Sequence, residues 1–253
     1  MTKDFESKGA IVTGGGSGIG RATALELARR GALVVVADLV DERAQEVVAE
    51  IVAAGGAAKA VVGDLSDQEV VDAVVRCCVE ATGGVDVLIN NAGIMDQMSA
   101  PNEVSDAEWE RVIRINLTAP FMMTRAVSAH MLAKGSGSIV YTGSEAGLRG
   151  SAAGTAYTAS KHGVIGLVKA AAVQFRGKGI RVNAVAPGGV MTNLEVTMDP
   201  TAAGPAAVGS YMANVGRIAD PQEVAAAIVF LASDAASNVS GAILPVDSGW
   251  SAI

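Results

Sequence analysis

Tyr157 and Lys161 stand four residues apart in the stretch "YTASKHG", in a part of the chain rich in Ala, Gly and Val. On a helix that spacing puts a phenol and an ammonium side by side on one face. A free tyrosine ionises at about pH 10, so at neutral pH it is a reluctant base. An ammonium about 4 Å away, at an effective dielectric of about 20, offers about 4 kcal/mol of attraction to the phenolate, or roughly three pKa units before desolvation. A phenol shifted that far can serve in general acid–base catalysis, so Lys161 is expected to lower the Tyr157 pKa. The competing reading is a tyrosine buried for packing, with the lysine stem on apolar surface and its head in water.

Upstream, "SIVYTGS" runs a strand into a small turn and presents Ser144 at the carboxyl edge of a sheet, where ligands of such sheets bind. Its hydroxyl could hold a substrate oxygen against the tyrosine, or it could be an ordinary turn serine. Near the N-terminus, "TGGGSGIGR" follows another apolar run. Gly14, Gly18 and Gly20 would let backbone amides approach a pyrophosphate, with Ser17 in the turn and a helix starting near Ile19 aiming its positive end at the same place. The same glycines could also make nothing more than a tight corner.

Some twenty residues on, "VVVADL" ends in Asp38 and Leu39. An acid at the end of a second strand accepts hydrogen bonds from the ribose hydroxyls of NAD and repels the extra phosphate of NADP; the alternative for Asp38 is a helix cap. In "VVGDLSD", Asp64 and Leu65 are placed to bound an adenine ring with one acceptor and one apolar contact, and Asp67 reads as the N-cap of the next helix.

These residues need a scaffold that brings strand ends together. "AIVTGG", "LVVVADL", "AKAVVGD", "VDVLINNAG", "GSIVYTGS", "IRVNAVAPG" and "GAILPVDSG" read as seven buried strands, continuous and apolar. Helical patterns lie between them at 19–30, 41–54, 67–82, 106–133, 155–178 and 221–232, several opened by Asp or Ser. The alternation implies an α/β fold: a single doubly wound domain over 1–253, with a seven-stranded parallel sheet flanked by helices. The irregular stretch at about 188–216 is too long for an idle connection and reads as a lid over a substrate pocket, the plainer option being a surface excursion with a short helix.

Half of the 253 residues are hydrophobic, enough for a large core. A formal charge of −7 gives no pull towards phosphate backbones or acidic membranes, so nucleic acid and membrane are not expected as partners. Cys77 and Cys78 are the only cysteines, and neighbours on a helix point apart, which suggests reduced thiols. With no long apolar stretch at the N-terminus or elsewhere, a soluble cytoplasmic protein is expected. No metal site is expected.

The ordered set "TGGGSGIG", "NNAG" at 90–93, "RINLTAPF" with Asn116, Ser144, "YTASK" and "APGGVMT" at 186–192 resembles the short-chain dehydrogenase/reductase family over nearly the whole chain. The resemblance implies a Rossmann-type fold, a nicotinamide cofactor (NAD rather than NADP, given Asp38), and a catalytic tetrad of Asn116, Ser144, Tyr157 and Lys161. Tyr157 would be the proton donor or acceptor, Ser144 would polarise the substrate oxygen, Lys161 would also hold the nicotinamide ribose, and Asn116 would support a water for proton exchange. It further implies cofactor contacts from Asn91, Ala92 and Gly93 and from Pro187, Gly188, Val190 and Thr192. For Asn91, a purely structural role in the central strands is an equal reading. Two positions depart from the family pattern, Gly143 for a frequent serine and Ser248 for a frequent glycine.

The reaction so implied interconverts a secondary alcohol and a ketone. Its alternatives are NADP-dependent reduction of 3-oxoacyl chains on a carrier protein, with Arg21 and Arg43 as nearby cations, and a non-catalytic dinucleotide sensor. Candidate pocket residues are Glu145, Ala146, Gly147, Leu148, Thr155, Leu194, Met198, Tyr211 and Met212, a mostly apolar set that suits a small hydrophobic alcohol or ketone. A homotetramer is the family expectation, with 106–133, 155–178 and the tail "WSAI" as contact candidates.

Overall fold

Nearly every residue of "GAIVT" is out of reach of water on both sides, which is what a strand sandwiched between two helical layers requires. The computed structural model describes residues 3–194, 196 and 198–252. Among them, β1 (Gly9–Thr13), β2 (Leu33–Asp38), β3 (Ala57–Val62), β4 (Val87–Asn90), β5 (Gly137–Thr142), β6 (Ile180–Pro187) and β7 (Ile243–Val246) form one seven-stranded sheet in the order β3-β2-β1-β4-β5-β6-β7. Every pairing is parallel. This is a Rossmann-like α/β architecture, as the alternating pattern implies.

The helices are α1 (Gly18–Arg29), α2 (Asp41–Ala53), α3 (Gln68–Thr82), α4 (Asp106–Ile113), α5 (Ala119–Lys134), α6 (Thr155–Gln174), α7 (Ala203–Gly209) and α8 (Pro221–Ala232). Alternate residues of β1 feed opposite cores: Ala10 and Val12 pack with Leu27, Val47 and Ile228 of α1, α2 and α8, while Ile11 packs with Val74, Met123 and Val168 of α3, α5 and α6. Caps set several helix starts. Asp67 accepts the Glu69 N–H at 2.9 Å before α3, Ser105 accepts the Glu108 N–H at 3.1 Å before α4, and Asp220 and Glu223 form a reciprocal box around the start of α8.

The stretch 106–133 is helical throughout, with a wider, π-type turn over Arg114–Thr118 between α4 and α5. Two sequence expectations need correction. The helix at 155–178 ends at Gln174, and Gly177 and Gly179 beyond it take left-handed φ of 73° and 74°. The strands are not all buried: β3 and β7 are edges, and residues such as Lys59 and Pro245 reach solvent. An edge tolerates proline because its missing N–H leaves no partner unpaired.

β1 lies between β2 and β4, so the chain leaves it in opposite directions on its two sides and opens a crevice at the carboxyl ends. The sequence motifs singled out above follow the ends of β1 to β6.

Candidate active site

The glycine turn is built to let backbone come close. Gly14 and Gly18 have φ of 60° and 50°, in the left-handed region where a side chain is strained. At Gly20 a Cβ would lie 2.0 Å from the Gly14 carbonyl oxygen and 2.6 Å from Asn91 Nδ2, so the first turn of α1 seats directly on the loop. Ser17 is the extended residue before α1, and Ile19 packs against the core from the first turn. Asp38 Oδ2 accepts the Gly16 N–H at 2.8 Å and Oδ1 the Val40 N–H at 3.0 Å, tying the turn to the end of β2. Leu39 beside it is 69 % exposed.

After β4, Asn91 joins three elements. Its Nδ2 donates to the carbonyls of Thr13 (3.1 Å) and Gly14 (3.3 Å), and its Oδ1 accepts from Thr142 Oγ1 at 3.1 Å. Thr13 Oγ1 in turn accepts the N–H groups of Asn91 and Ala92 at 2.9 and 3.0 Å. A half-buried amide so engaged fixes the spacing of β1, β4 and β5. After β3, Asp64 is already engaged by Ser66 and by Arg114 Nη1 at 2.9 Å, and the Ser66 hydrogen bonds hold its carboxyl below the usual range. Leu65 is buried in the core beside α3. After β6, Pro187 closes the strand, Gly188 lies close to Asp247, Val190 bridges to Ala219, and Thr192 lies over Gly18.

The four chemistry-bearing side chains meet at the ends of β4 and β5. Tyr157 and Lys161 share a face of α6, both buried. The Ser144 hydroxyl reaches the phenol, and its Oγ accepts the Ala146 N–H at 3.1 Å. Asn116, in the π-type turn, accepts the Ile94 N–H and donates to the Ile94 carbonyl, both at 2.8 Å, and donates to Ser160 Oγ at 3.3 Å. Such widened turns recur where a helix must aim one side chain into a site.

The electrostatics differ from the sequence expectation. Burial pushes the Tyr157 phenol up to about 12, with the Ser144 hydrogen bond working the other way and Asp96 adding to the rise. Burial brings the Lys161 ammonium down to about 8. Lys161 Nζ lies 5.4 Å from the ring centre and donates to the Thr142 carbonyl at 2.9 Å. In the chain by itself, desolvation therefore outweighs the lysine's charge at the phenol.

Some functional-looking residues escaped the sequence reading. Asp96, 2 % exposed, accepts the N–H groups of Met98, Gly154 and Tyr157. Glu103 accepts the Ala203 and Gly204 N–H groups at 2.8 and 3.1 Å and so fastens the start of α7 to the loop after β4. The available signal was Gly154: a glycine before a helix offers no side chain to cap it, so the cap must come from elsewhere.

Of the pocket candidates, Glu145, Ala146 and Gly147 are buried rather than open to a ligand. Glu145 has its carboxylate 2.7 Å from Arg149 Nε, and burial raises its pKa. Leu148, Leu194, Met198, Tyr211 and Met212 are exposed, and Thr155 is half-buried. Glu195 and Thr197 of the 188–216 stretch lie outside the described residues. Cys77 and Cys78 are free, and burial drives Cys78 up to about 11. Among the described residues no helix is long and apolar enough to cross a membrane, and no His/Cys/Asp/Glu group could hold a metal ion.

Known proteins are similar to this chain over nearly its whole length. A cis-4-hydroxycyclohexanecarboxylate dehydrogenase from Sinomonas cyclohexanicum is 45% identical over the full length of both chains. A cyclohexanol dehydrogenase from Acinetobacter sp. (strain SE19) is 42% identical, with 99% of this chain and 97% of that one covered. A solved structure from Beutenbergia cavernae, described provisionally as an NAD(P)-dependent gluconate 5-dehydrogenase with NADP bound at low occupancy, superposes over 100% of both chains with a TM-score of 0.86 at 42% identity. The family model for short chain dehydrogenase matches residues 8–203, from β1 into α7 and across the ends of β1 to β6. The chain is a member of the short-chain dehydrogenase family, whose enzymes use NAD(P).

Proposed function

We propose that the protein interconverts a hydrophobic secondary alcohol, an alicyclic one in the first instance, and its ketone, with NAD as the preferred cofactor and Tyr157 as the acid/base. The observation that carries this reading is the meeting of Ser144, Tyr157, Lys161 and Asn116 beside a glycine turn that leaves room for a dinucleotide. Gly93 contributes to that room: a Cβ there would lie 3.3 Å from Asn116 Oδ1 and 3.7 Å from Lys161 Nζ.

When bound, the nicotinamide supplies the hydride acceptor for oxidation and the donor for reduction. Tyr157 Oη takes the hydroxyl proton of the alcohol and returns it in the reverse direction. Ser144 Oγ, within reach of the phenol, donates to the substrate oxygen and keeps it against Tyr157. Lys161, held by the Thr142 carbonyl, would stabilise the phenolate by charge and help hold the nicotinamide ribose. Asn116 supports the water through which the proton leaves. The dinucleotide would be held by Gly14, Ser17, Gly18, Ile19 and Gly20, by Asp38 and Leu39, by Asp64 and Leu65, by Asn91, Ala92 and Gly93, and by Pro187, Gly188, Val190 and Thr192.

Preference for NAD rests on Asp38, whose carboxylate stands where a 2'-phosphate would add a second negative charge. Arg43, adjacent to Gly16, is the cation that could soften that repulsion. A hydrophobic substrate is supported by Met95 and Ala152, which pack around Tyr157, and by the exposed apolar residues of 188–216, which we read as the substrate-covering segment. Exposed Trp109, Phe121, Leu132 and Val173 on α4, α5 and α6 support assembly into a homotetramer, which light scattering would test.

The test follows NADH formation with cyclohexanols, hydroxycyclohexanecarboxylates, aryl carbinols and gluconate, beside Tyr157→Phe. Turnover of a ring alcohol that collapses in the variant is the expected result. Turnover of gluconate alone would overturn the substrate class, and silence with NADH still bound would overturn the catalytic reading.

A further inference from the structure

The N-terminus of α6 lacks a local cap. Its N-cap residue is Gly154, and Tyr157 occupies the third helical position, where an N–H has no partner within the helix. The missing acceptor comes from the loop after β4. Asp96 Oδ2 accepts the Tyr157 N–H at 2.9 Å, and Oδ1 accepts those of Gly154 at 3.2 Å and Met98 at 3.0 Å. The Ser99 carbonyl takes the Thr155 N–H at 3.0 Å and the Thr155 hydroxyl at 2.9 Å.

Three features mark this as a built contact. A Cβ at Gly154 would lie 2.5 Å from Asp96 Oδ2 and 2.6 Å from Met98 Cα, so only glycine admits the carboxylate. Met98 has a φ of 58°, a left-handed conformation that strains a non-glycine residue and is held by its surroundings. Asp96 makes no ion pair among the described residues, so its charge is balanced by N–H groups and the helix N-terminus.

We infer that Asp96 is a positioning residue for Tyr157: it holds the turn that carries the phenol and sets a buried carboxylate against the backbone of that residue. The inference rests on Tyr157 being the acid/base. The other charged groups on the elements packed together here are Lys161 on the same helix, Glu145 on the turn after β5, paired with Arg149, and Glu108 on α4. Glu108 bonds the Gln97 N–H at 2.7 Å and Ser99 Oγ at 2.9 Å and so steadies the Asp96 loop from behind. Asp96 is the one of these acids with a direct bond to the backbone of Tyr157.

Asp96→Asn removes the charge and leaves a side chain of the same shape. The expected result is a drop of about tenfold or more in kcat for alcohol oxidation, with KM changed less than threefold. The acid limb of the pH profile should move to lower pH, because a phenol without a neighbouring anion ionises more easily. A purely structural cap would lower activity without moving that limb, and a limb that stays in place or moves upward overturns the inference. Gly154→Ala is the second variant, for use also if Asp96→Asn does not fold. It displaces the carboxylate but keeps the charge, so kcat should fall with less movement of the limb, and wild-type kcat there overturns the positioning role. Tyr157→Phe is run alongside. Full turnover in that variant removes the catalytic reading itself, whereas an inactive Tyr157→Phe beside a wild-type-like Asp96→Asn removes the Asp96 role alone.

Discussion

The ammonium of Lys161 donates to the carbonyl of Thr142 at the end of β5, 2.9 Å away, and lies 5.4 Å from the centre of the Tyr157 ring. Helical spacing puts the two side chains on one face, but the strand carbonyl sets where the charge sits. The phenol, buried and near Asp96, is harder to ionise than a free tyrosine in the chain by itself. On the proposed reading, a bound cationic nicotinamide would supply positive charge that favours the phenolate, so proton transfer at Tyr157 would depend on cofactor binding.

Lys161 should cost stability in the cofactor-free protein. Its pKa falls from 10.5 to about 8, so the folded state holds fewer protons than the unfolded chain between those values. Stability from this group is therefore gained as pH rises through about 8 and is lacking below it, by roughly 3 kcal/mol before the Thr142 hydrogen bond is counted. Lys161→Met, which removes the charge and that bond, should be about 1 kcal/mol more stable than wild type at neutral pH. Urea melts across pH 6 to 10 should show this advantage shrinking as pH rises; an advantage independent of pH would refute the argument.

Ser144→Ala should lower kcat by about 10²-fold or more while leaving NADH binding unchanged. Because the Ser144 hydrogen bond eases ionisation of the phenol, its loss should move the acid limb of alcohol oxidation to higher pH. That direction is opposite to the one expected for Asp96→Asn, so the two profiles check each other.

Asp38→Ala should relax cofactor choice. A carboxylate about 8 Å from a phosphate charge at an effective dielectric of about 20 opposes it by about 2 kcal/mol, or about 30-fold in affinity. The kcat/KM ratio for NADP over NAD should rise by at least tenfold. Part of the cost should appear as weaker binding of both cofactors, since Asp38 also anchors the Gly16 amide.

Glu103→Ala should free the start of α7. Loss of a carboxylate accepting two first-turn N–H groups is worth about 1 kcal/mol, so KM for a bulky alcohol should rise about fivefold with kcat moving less. Hydrogen exchange over 203–209 should quicken in the same variant. Unchanged exchange there would show that Glu103 does not hold the segment.

Much of the fold was legible because its signals are local. Apolar runs such as "LVVVAD" and the caps Asp67 and Ser105 act within a few residues, and all seven strands and the starts of α2, α3, α4, α6 and α8 follow from them. The carboxyl-edge residues Gly14, Asp38 and Ser144 could likewise be gathered in advance, because a parallel sheet brings strand ends to one side whatever their separation along the chain, while Asn91 and Thr192 rest on the family resemblance.

What only the tertiary structure decided lies in contacts between distant segments. The π-type turn at Arg114–Thr118, the direction of the Lys161 ammonium, the burial of Glu145, and the hold of Asp96 and Glu103 on α6 and α7 have no period or motif to announce them. A buried carboxylate takes whichever N–H groups the fold leaves unpaired, and a phenol's pKa follows the dielectric that packing creates around it. Residue types and spacing thus determined which groups could react, and the arrangement of the chain decided how strongly each holds its proton.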